Sequence, residues 1–233
     1  MRGHGRDRAA VGDRARQAPP VTVTVLRKLV EQCDTSTGTG LRDRALIVVG
    51  FALAARRSEL VALDHGDIRP GPDGGILVLI RASKTDKDGA GIEVALPYGA
   101  HPETCPVRTL QAWRVYLTAR GITDGPLFVR IDRHGHLGTA ATGRGTDADA
   151  GRLTGQAVSM IVRRLAVAAG VPDAAAYSGH SLRSGFATEA YRTGGDPLRI
   201  ADHGRWNRGS SVLLGYVRDV DRCSKNPLAG VGL

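Results

Sequence analysis

The sequence is poor in aromatic side chains, which make up 4% of its 233 residues. Proteins that bind single-stranded nucleic acid stack successive bases on aromatic rings, so this composition argues against that mode of binding. Long apolar runs are also missing: the longest, residues 45–55, has 11 residues, about half of the ~20 that a membrane-spanning helix requires. The N-terminus has no apolar signal core. We therefore expect a soluble cytoplasmic protein that does not bind membranes.

Cysteine is scarce as well, with only Cys33, Cys105 and Cys223, which lie far apart and form no Cys-x-x-Cys pair. This pattern supports neither a disulfide framework nor a thiolate zinc site. The sequence also shows no cluster of Asp, Glu and His at metal-ligand spacing. His134 and His136 are close together, but they lie in a polar, glycine-rich segment. We therefore expect no metal and no cofactor.

Positive charge is abundant. Lys and Arg number 32 against 23 Asp and Glu, which gives a formal net charge of +9, and only four of the 32 are lysines. An excess of this size predicts an anionic partner, and arginine binds phosphate through paired N–H donors. A GC-rich genome would also enrich arginine. With so few aromatic residues, the backbone of double-stranded DNA is the favoured partner.

Hydrophobic patterning predicts a mainly α fold with a small antiparallel β-sheet, an α+β class. Residues 1–20 are predicted to be a basic flexible arm or linker, and residues 21–233 a single domain. A short strand-like entry followed by a helix is predicted within 21–33. Further helices are predicted at 41–63 (interrupted near 54–58), 106–119, 154–169, 181–193, 197–204 and 212–217. Strands are predicted at 76–81 and 92–96, and a long polar loop at 132–151.

Two segments in the first half of the chain carry cations suited to a phosphodiester. Arg56 and Arg57 stand in the C-terminal half of an apolar helix, where a charged pair needs a reason. They could equally form a solvent-facing turn with Glu59 as an ion-pair partner. Lys84 lies in the predicted hairpin loop, which could project it into a DNA groove or leave it solvated.

Two further segments carry candidate residues in the second half. His180 and Arg183 are three residues apart, so on a helix they share one face and can address the same anion. In an arginine-rich chain this spacing also arises by chance. Trp206 precedes Tyr216 on a short basic segment. Read alone, Tyr216 is better explained as a core or interface aromatic.

The order of these four segments resembles the catalytic domain of the tyrosine recombinases, also called the phage integrase family. The resemblance covers roughly residues 20–228 and extends to the flanking sequences RSELVAL, GPLF, GHSLRSGFAT and NPLAGVGL. In that family an Arg is followed by a hairpin Lys, a His-x-x-Arg motif, a His or Trp and a C-terminal nucleophilic Tyr. The matching catalytic positions here are Arg56, Lys84, His180, Arg183, Trp206 and Tyr216.

The resemblance implies a site-specific DNA recombinase that needs no ATP, because each step exchanges one ester for another. The phenolic oxygen of Tyr216 would attack a DNA phosphodiester, leaving a 3′-phosphotyrosyl link and a free 5′ hydroxyl. Arg56 and Arg183 would bind the phosphoryl oxygens, and His180 would accept or organise the phenolic proton. Lys84 would protonate the departing 5′ oxygen.

The remaining positions are assigned less directly. Trp206 would donate its indole N–H to the phosphate or pack the site. It stands 10 residues before Tyr216, near the usual family spacing but apparently one residue longer, so His203 is the alternative for that position. Glu59 would orient an Arg or the His. Contacts with the DNA backbone are expected from Arg57, Lys87, Arg205 and Arg208.

The chain also departs from the family. Typical members carry a separate N-terminal domain that closes a clamp around DNA, whereas only the arm of residues 1–20 stands in its place here. Three alternatives therefore stay open: a type IB topoisomerase-like nicking and resealing enzyme, a catalytically idle DNA-binding protein, and a metal-dependent nuclease. The resemblance further implies a homo-oligomer, a tetramer on DNA joined through residues 217–233, in the cytoplasm of a bacterium or encoded by a phage, and associated with the nucleoid.

Overall fold

The structure, a computed structural model, describes residues 18–72, 74–81, 91–138 and 151–216. Several sequence predictions lie outside these residues. They concern Lys84 and Lys87, most of the arm at 1–20, the middle of the polar loop and the C-terminal segment 217–233. In the described part of the chain, no helix is long and apolar enough to cross a membrane.

Helix α1, Val23–Glu31, buries Leu26 and Leu29 against the core. It begins where Thr22 accepts a hydrogen bond from the Val25 amide through Oγ1 (3.2 Å), an ordinary N-cap. The strand-like entry predicted before it is wrong, because this cap starts the helix within the alternating VTVTV sequence. The Val21 amide instead donates to the Ser181 carbonyl (2.8 Å), which ties the start of the domain to the later site helix.

Helix α2, Gly38–Ala52, is buried on almost every side, as its apolar sequence predicts. It begins three residues before the predicted start because the Thr37 hydroxyl accepts from the Gly40 amide (3.0 Å). The predicted interruption is confirmed. Ala54 adopts a left-handed backbone conformation (φ +46°), and helix α3, Arg57–Ala62, starts in a new direction.

The predicted antiparallel strand pair is also confirmed, as β2 (Ile76–Ile80) and β3 (Ile92–Leu96), with Val78 paired to Val94. A further strand, β1 (Ile68–Pro70), joins the other edge of β2, giving the order β1-β2-β3. The sequence pattern missed β1 because three residues ending in proline show no alternation. The inward side chains of β2 and β3 are buried, and Arg81 at the end of β2 pairs with Asp64 (2.7 Å).

The remaining helices complete a mainly helical domain around one core. They are α4 (Pro106–Thr118), α5 (Gly155–Ala168), α6 (Gly179–Arg192) and α7 (Pro197–Gly204), and residues 211–216 are also helical. Trp113 of α4 is fully buried beside α2 and donates its indole N–H to the Leu127 carbonyl (2.8 Å). A smaller apolar cluster, formed by α6, α7 and residues 211–216, includes Trp206 and Tyr216. The predicted α+β class is confirmed.

Candidate active site

Five of the six predicted catalytic residues meet at one place, although they come from four separate stretches of chain. Arg56 precedes α3, His180 and Arg183 lie on α6, Trp206 follows α7, and Tyr216 lies in the helical residues 211–216. The turn at Ala54 and the packing of α6 and α7 produce this convergence. Lys84, the sixth predicted residue, falls outside the described residues.

Arg56 is the N-cap residue of α3 and forms a reciprocal pair with Glu59 in the first turn. Its backbone amide donates to Oε2 of Glu59 (2.9 Å), and its guanidinium forms an ion pair with Oε1. Burial raises the pKa of Glu59, but the charge of Arg205 and the hydrogen bonds from both arginines outweigh burial and hold it below its ordinary value. Glu59 therefore stays ionised. The side chain of Arg56 is 27% exposed to solvent.

Arg183 is held deeper in the site, with 3% of its surface exposed. One guanidinium nitrogen, Nη1, donates to the carbonyl of Ala54, which the left-handed turn presents to α6. The other, Nη2, is buried and has no hydrogen-bond partner among the residues that the structure describes. Burial, followed by the charge of Arg56, lowers the pKa of Arg183 to about 9. It remains a cation at neutral pH with one donor free.

His180 and Tyr216 are in direct contact. The Ser178 hydroxyl accepts from the His180 amide (3.3 Å), which fixes His180 in the first turn of α6. Its Nε2 lies 2.8 Å from the Oη of Tyr216. Burial and the charge of Arg183 lower the pKa of His180, whereas burial raises that of Tyr216 and Arg183 partly offsets it. A neutral imidazole therefore faces a protonated phenol.

Trp206, rather than His203, lies against these residues. The guanidinium carbon of Arg183 sits 3.8 Å from the centre of the indole ring, and the rings of Trp206 and Tyr216 meet edge-on at 6.4 Å. His203 instead stacks on Phe186 (4.6 Å) and its Nε2 lies 2.7 Å from the Ala52 carbonyl oxygen. The one-residue difference in spacing therefore does not displace the tryptophan from the site.

Gly204 explains the close seating of the indole. A Cβ atom at this position would come within 1.7 Å of Cζ3 of Trp206, far below any tolerated contact. Only glycine lets the chain pass so near the ring.

The residues predicted to contact the DNA backbone have different surroundings. Arg57 and Arg208 are exposed, and Arg208 Nη2 pairs with Asp202 at 3.0 Å on the surface. The prediction for Arg205 is wrong, because its side chain is 0% exposed and its Nη2 donates to Oε2 of Glu59 (2.7 Å). Sequence reasoning missed this inward role, since a basic residue in a basic segment reads as a surface contact.

A potential metal centre would need grouped ligands. Among residues 18–72, 74–81, 91–138 and 151–216, no group of three or more His, Cys, Asp or Glu side chains is placed to hold an ion. His136 pairs with Asp132 (2.9 Å) on an exposed loop, and Cys33 and Cys105 are buried as free thiols.

Comparison with known protein sequences gives one clear family assignment. The model of the phage integrase family matches residues 21–222. The integrase/recombinase xerD homolog of Selenomonas ruminantium is 37% identical over 209 residues, which cover 90% of this chain and 56% of the relative. The recombinase cre of Escherichia phage P1 is 26% identical over 233 residues, covering 95% and 62%. The chain thus spans less than two thirds of the length of these relatives.

Comparison with solved structures shows the same fold. The XerH site-specific recombinase in its post-cleavage complex with palindromic difH substrate matches with a TM-score of 0.62 at 20% identity, covering 94% of this chain and 55% of that one. The XerA recombinase matches with a TM-score of 0.61 at 18% identity, covering 94% and 66%. At this level of identity the likeness concerns architecture.

Proposed function

Because this chain belongs to the phage integrase family, we propose that it is a site-specific DNA recombinase that cleaves and rejoins duplex DNA through a 3′-phosphotyrosyl intermediate. One observation carries the proposal. The phenol of Tyr216 and the imidazole of His180 are in hydrogen-bond contact (2.8 Å) beside Arg183, whose Nη2 is buried without a described protein partner. A nucleophile, a base and an anion-binding donor therefore stand together.

The arginines would bind the scissile phosphate. A buried guanidinium donor left without a partner loses its hydration, and a phosphoryl oxygen at Nη2 of Arg183 would restore a charge-assisted hydrogen bond. Arg56, which is partly exposed and held in place by Glu59, would bind a second oxygen. Negative charge that develops on these oxygens in the transition state would meet donors already in position.

Strand cleavage would then be a single displacement at phosphorus. The Oη of Tyr216 forms a bond to phosphorus while the bond to the 5′ oxygen breaks, and the phenolic proton passes to Nε2 of His180. The leaving 5′ oxygen needs a proton of its own. Lys84 would supply it, because an ammonium group can give up a proton. Arg183 is assigned to phosphate binding instead, since its Nη1 already donates to the Ala54 carbonyl. Attack by another strand's 5′ hydroxyl reverses each bond change.

The proposal extends to the partner and the assembly. The net charge of +9 and the exposed Arg57 and Arg208 favour duplex DNA, bound through its phosphates with steep salt dependence. We propose a homotetramer on DNA, joined through residues 217–233, because exchange between two duplexes needs four strand cleavages. Its place would be the nucleoid in the cytoplasm of a bacterium.

The test is to trap the covalent intermediate on DNA. We would use duplexes of randomised core sequence that carry a nick beside the core, so that the short 5′-hydroxyl fragment diffuses away after cleavage. The wild-type chain is expected to form a protein–DNA adduct that survives denaturation, also in EDTA, because arginines supply the charge stabilisation. Tyr216→Phe should bind DNA and form no adduct, whereas Tyr98→Phe, at an exposed tyrosine, should behave as wild type.

Four results would contradict the proposal. Adducts that persist in Tyr216→Phe would place the nucleophile elsewhere. Cleavage that stops in EDTA and returns with magnesium would favour the nuclease alternative. Binding without any adduct would favour the idle DNA-binding protein. Adduct formation with nicking and resealing, but without joining of two duplexes, would favour the topoisomerase-like enzyme.

A further inference from the structure

Arg205 occupies an unusual backbone position. It caps the C-terminal end of α7 with φ +58° and ψ +41°, in the left-handed region. Glycine is the usual residue there, because a Cβ atom raises the energy of this conformation. A bulky arginine that adopts it must be held by its surroundings.

The surroundings of Arg205 are entirely internal, since its side chain is 0% exposed. Its Nη1 donates to the Leu53 carbonyl (3.2 Å) at the end of α2 and to the His203 carbonyl (2.9 Å) in α7. Its Nη2 donates to Oε2 of Glu59 (2.7 Å). One guanidinium therefore joins α2, α3 and the turn that leads to Trp206.

Through Glu59, these contacts reach Arg56. Both oxygens of the Glu59 carboxylate are occupied: Oε1 binds the guanidinium of Arg56, and Oε2 binds both the Arg56 amide and Arg205. Arg56 Nη2 also lies 3.4 Å from the carbonyl oxygen of Arg205. Arg205 thus bears on the position of Arg56 in two ways: its side chain binds Glu59, which holds Arg56, and its backbone carbonyl accepts directly from Arg56.

The side chains around Glu59 carry an excess of positive charge, which favours binding of an anion. Arg56, Arg183 and Arg205 bring three positive charges, against one negative charge on Glu59. The charge of Arg205 is among those that lower the pKa of Arg183, so its field extends across the site. The single negative charge of a phosphodiester bound by Arg56 and Arg183 would offset part of this excess.

We propose that Arg205 is a positioning residue for strand cleavage, which acts by holding the Glu59 carboxylate and thereby fixes the guanidinium of Arg56 for the scissile phosphate. The role rests on the proposed function. It differs from a DNA contact, because no part of the Arg205 side chain is exposed. It also differs from a purely structural role, because its effect on cleavage must pass through Glu59.

The test compares Arg205→Met with two companion variants. Arg205→Gly removes the same side chain but suits the left-handed backbone, so it keeps the turn intact if Arg205→Met folds poorly. Arg205→Lys keeps a positive charge near Glu59. Arg192→Met is the matched control, since Arg192 is exposed and pairs with Glu189 on the surface of α6. Single-turnover adduct formation and DNA binding are measured separately for each.

For Arg205→Met and Arg205→Gly we expect DNA affinity within about threefold of wild type and adduct formation slowed about 100-fold, the usual effect of a misplaced catalytic group. Arg205→Lys should recover most of the rate, and Arg192→Met should match wild type. In a Glu59→Gln background, the further change Arg205→Met should slow cleavage by less than about threefold, because the two residues act as a unit.

Two results would overturn the positioning role. One is a wild-type rate in Arg205→Gly. The other is a full additional loss when Arg205→Met is combined with Glu59→Gln, which would mean that Arg205 acts independently of the carboxylate. Both differ from a failure of the proposed function, in which the wild-type chain itself forms no adduct.

Discussion

Replacing His180 by glutamine tests how the nucleophile loses its proton. The imidazole Nε2 lies 2.8 Å from the phenolic oxygen of Tyr216, which is within reach for direct proton transfer. Glutamine has a comparable reach and can still hydrogen-bond to the phenol, but its amide does not accept a proton at accessible pH. His180→Gln therefore removes the base while retaining much of the contact.

The size of the effect follows from the acidity of tyrosine. A phenol with the ordinary pKa of about 10 is ionised to roughly one part in a thousand at pH 7, a deficit of about 4 kcal/mol. Burial raises the pKa of Tyr216 further, which Arg183 only partly offsets, so the unassisted phenolate is rarer still. A positioned base contributes about 10²- to 10⁴-fold, and we expect His180→Gln to slow adduct formation by that factor.

The pH profile gives a second, independent signature. The pKa of His180 lies below 6.5, because burial and the charge of Arg183 disfavour the imidazolium. In the proposed mechanism neutral His180 is the active form, so the wild-type rate should be full near neutrality and fall as pH drops through this lowered pKa. His180→Gln should lose the break at this pKa and the plateau above it, and its rate should instead rise steadily with pH as Tyr216 ionises.

The assay is single-turnover adduct formation on a nicked duplex, followed over roughly pH 5 to 9, the range that spans an ordinary histidine. His134→Gln is the matched control, because His134 is exposed on the 132–138 loop and should leave both rate and profile unchanged. A break at the same pKa, followed by a plateau, that survives in His180→Gln would refute the assignment of His180 as the base. So would a wild-type rate at neutral pH.

Three further predictions concern other residues. Lys84→Ala should slow cleavage of ordinary DNA about 10²- to 10⁴-fold but should cleave a substrate with sulfur as the bridging 5′ atom at nearly the wild-type rate. Lys87→Ala is the control, and an equal defect of Lys84→Ala on both substrates would refute Lys84 as the acid. Gly204→Ala should displace the Trp206 indole, which its Cβ would meet at 1.7 Å, and cost about 1–3 kcal/mol in thermal unfolding; an unchanged melt would contradict this seating. Arg208→Ala should reduce the slope of log affinity against log salt by about 1, and an unchanged slope would remove Arg208 from the DNA contacts.

Local signals predicted much of the fold because they act within a few residues. Asp196 and Pro197 mark the start of α7, and in the structure the Asp196 carboxylate accepts from the Arg199 amide (3.0 Å). The β-branched run at Ile76–Ile80 formed a strand as predicted. Where two local signals compete, the prediction from hydrophobic alternation fails. At residues 21–25 the alternation favours a strand, but the N-cap at Thr22 starts a helix.

The residues that meet in the site were predicted from their order in the chain, which the family resemblance supplied, rather than from their individual chemistry. Arg183 looks ordinary in an arginine-rich sequence. Its special property, a buried nitrogen without a described partner beside the Trp206 ring, exists only once α6, α7 and the turn at Ala54 have packed together. A pattern along one helix could place His180 and Arg183 on the same face but could not supply the rest of the pocket.

Arg205 shows why inward and outward arginines cannot be separated by sequence alone. Arg205 and Arg208 are three residues apart in one basic segment, yet one has no exposed side-chain surface and the other pairs with Asp202 in solvent. The difference has two causes. Arg205 adopts a left-handed turn after Gly204, and its side chain binds the ionised Glu59, which lies 146 positions earlier in the sequence. Burying a guanidinium is unfavourable unless a carboxylate and carbonyls receive it. The contact with Glu59 and the turn at Arg205 must therefore form together. Because the two residues are far apart in the sequence, no periodic sequence pattern reveals this contact.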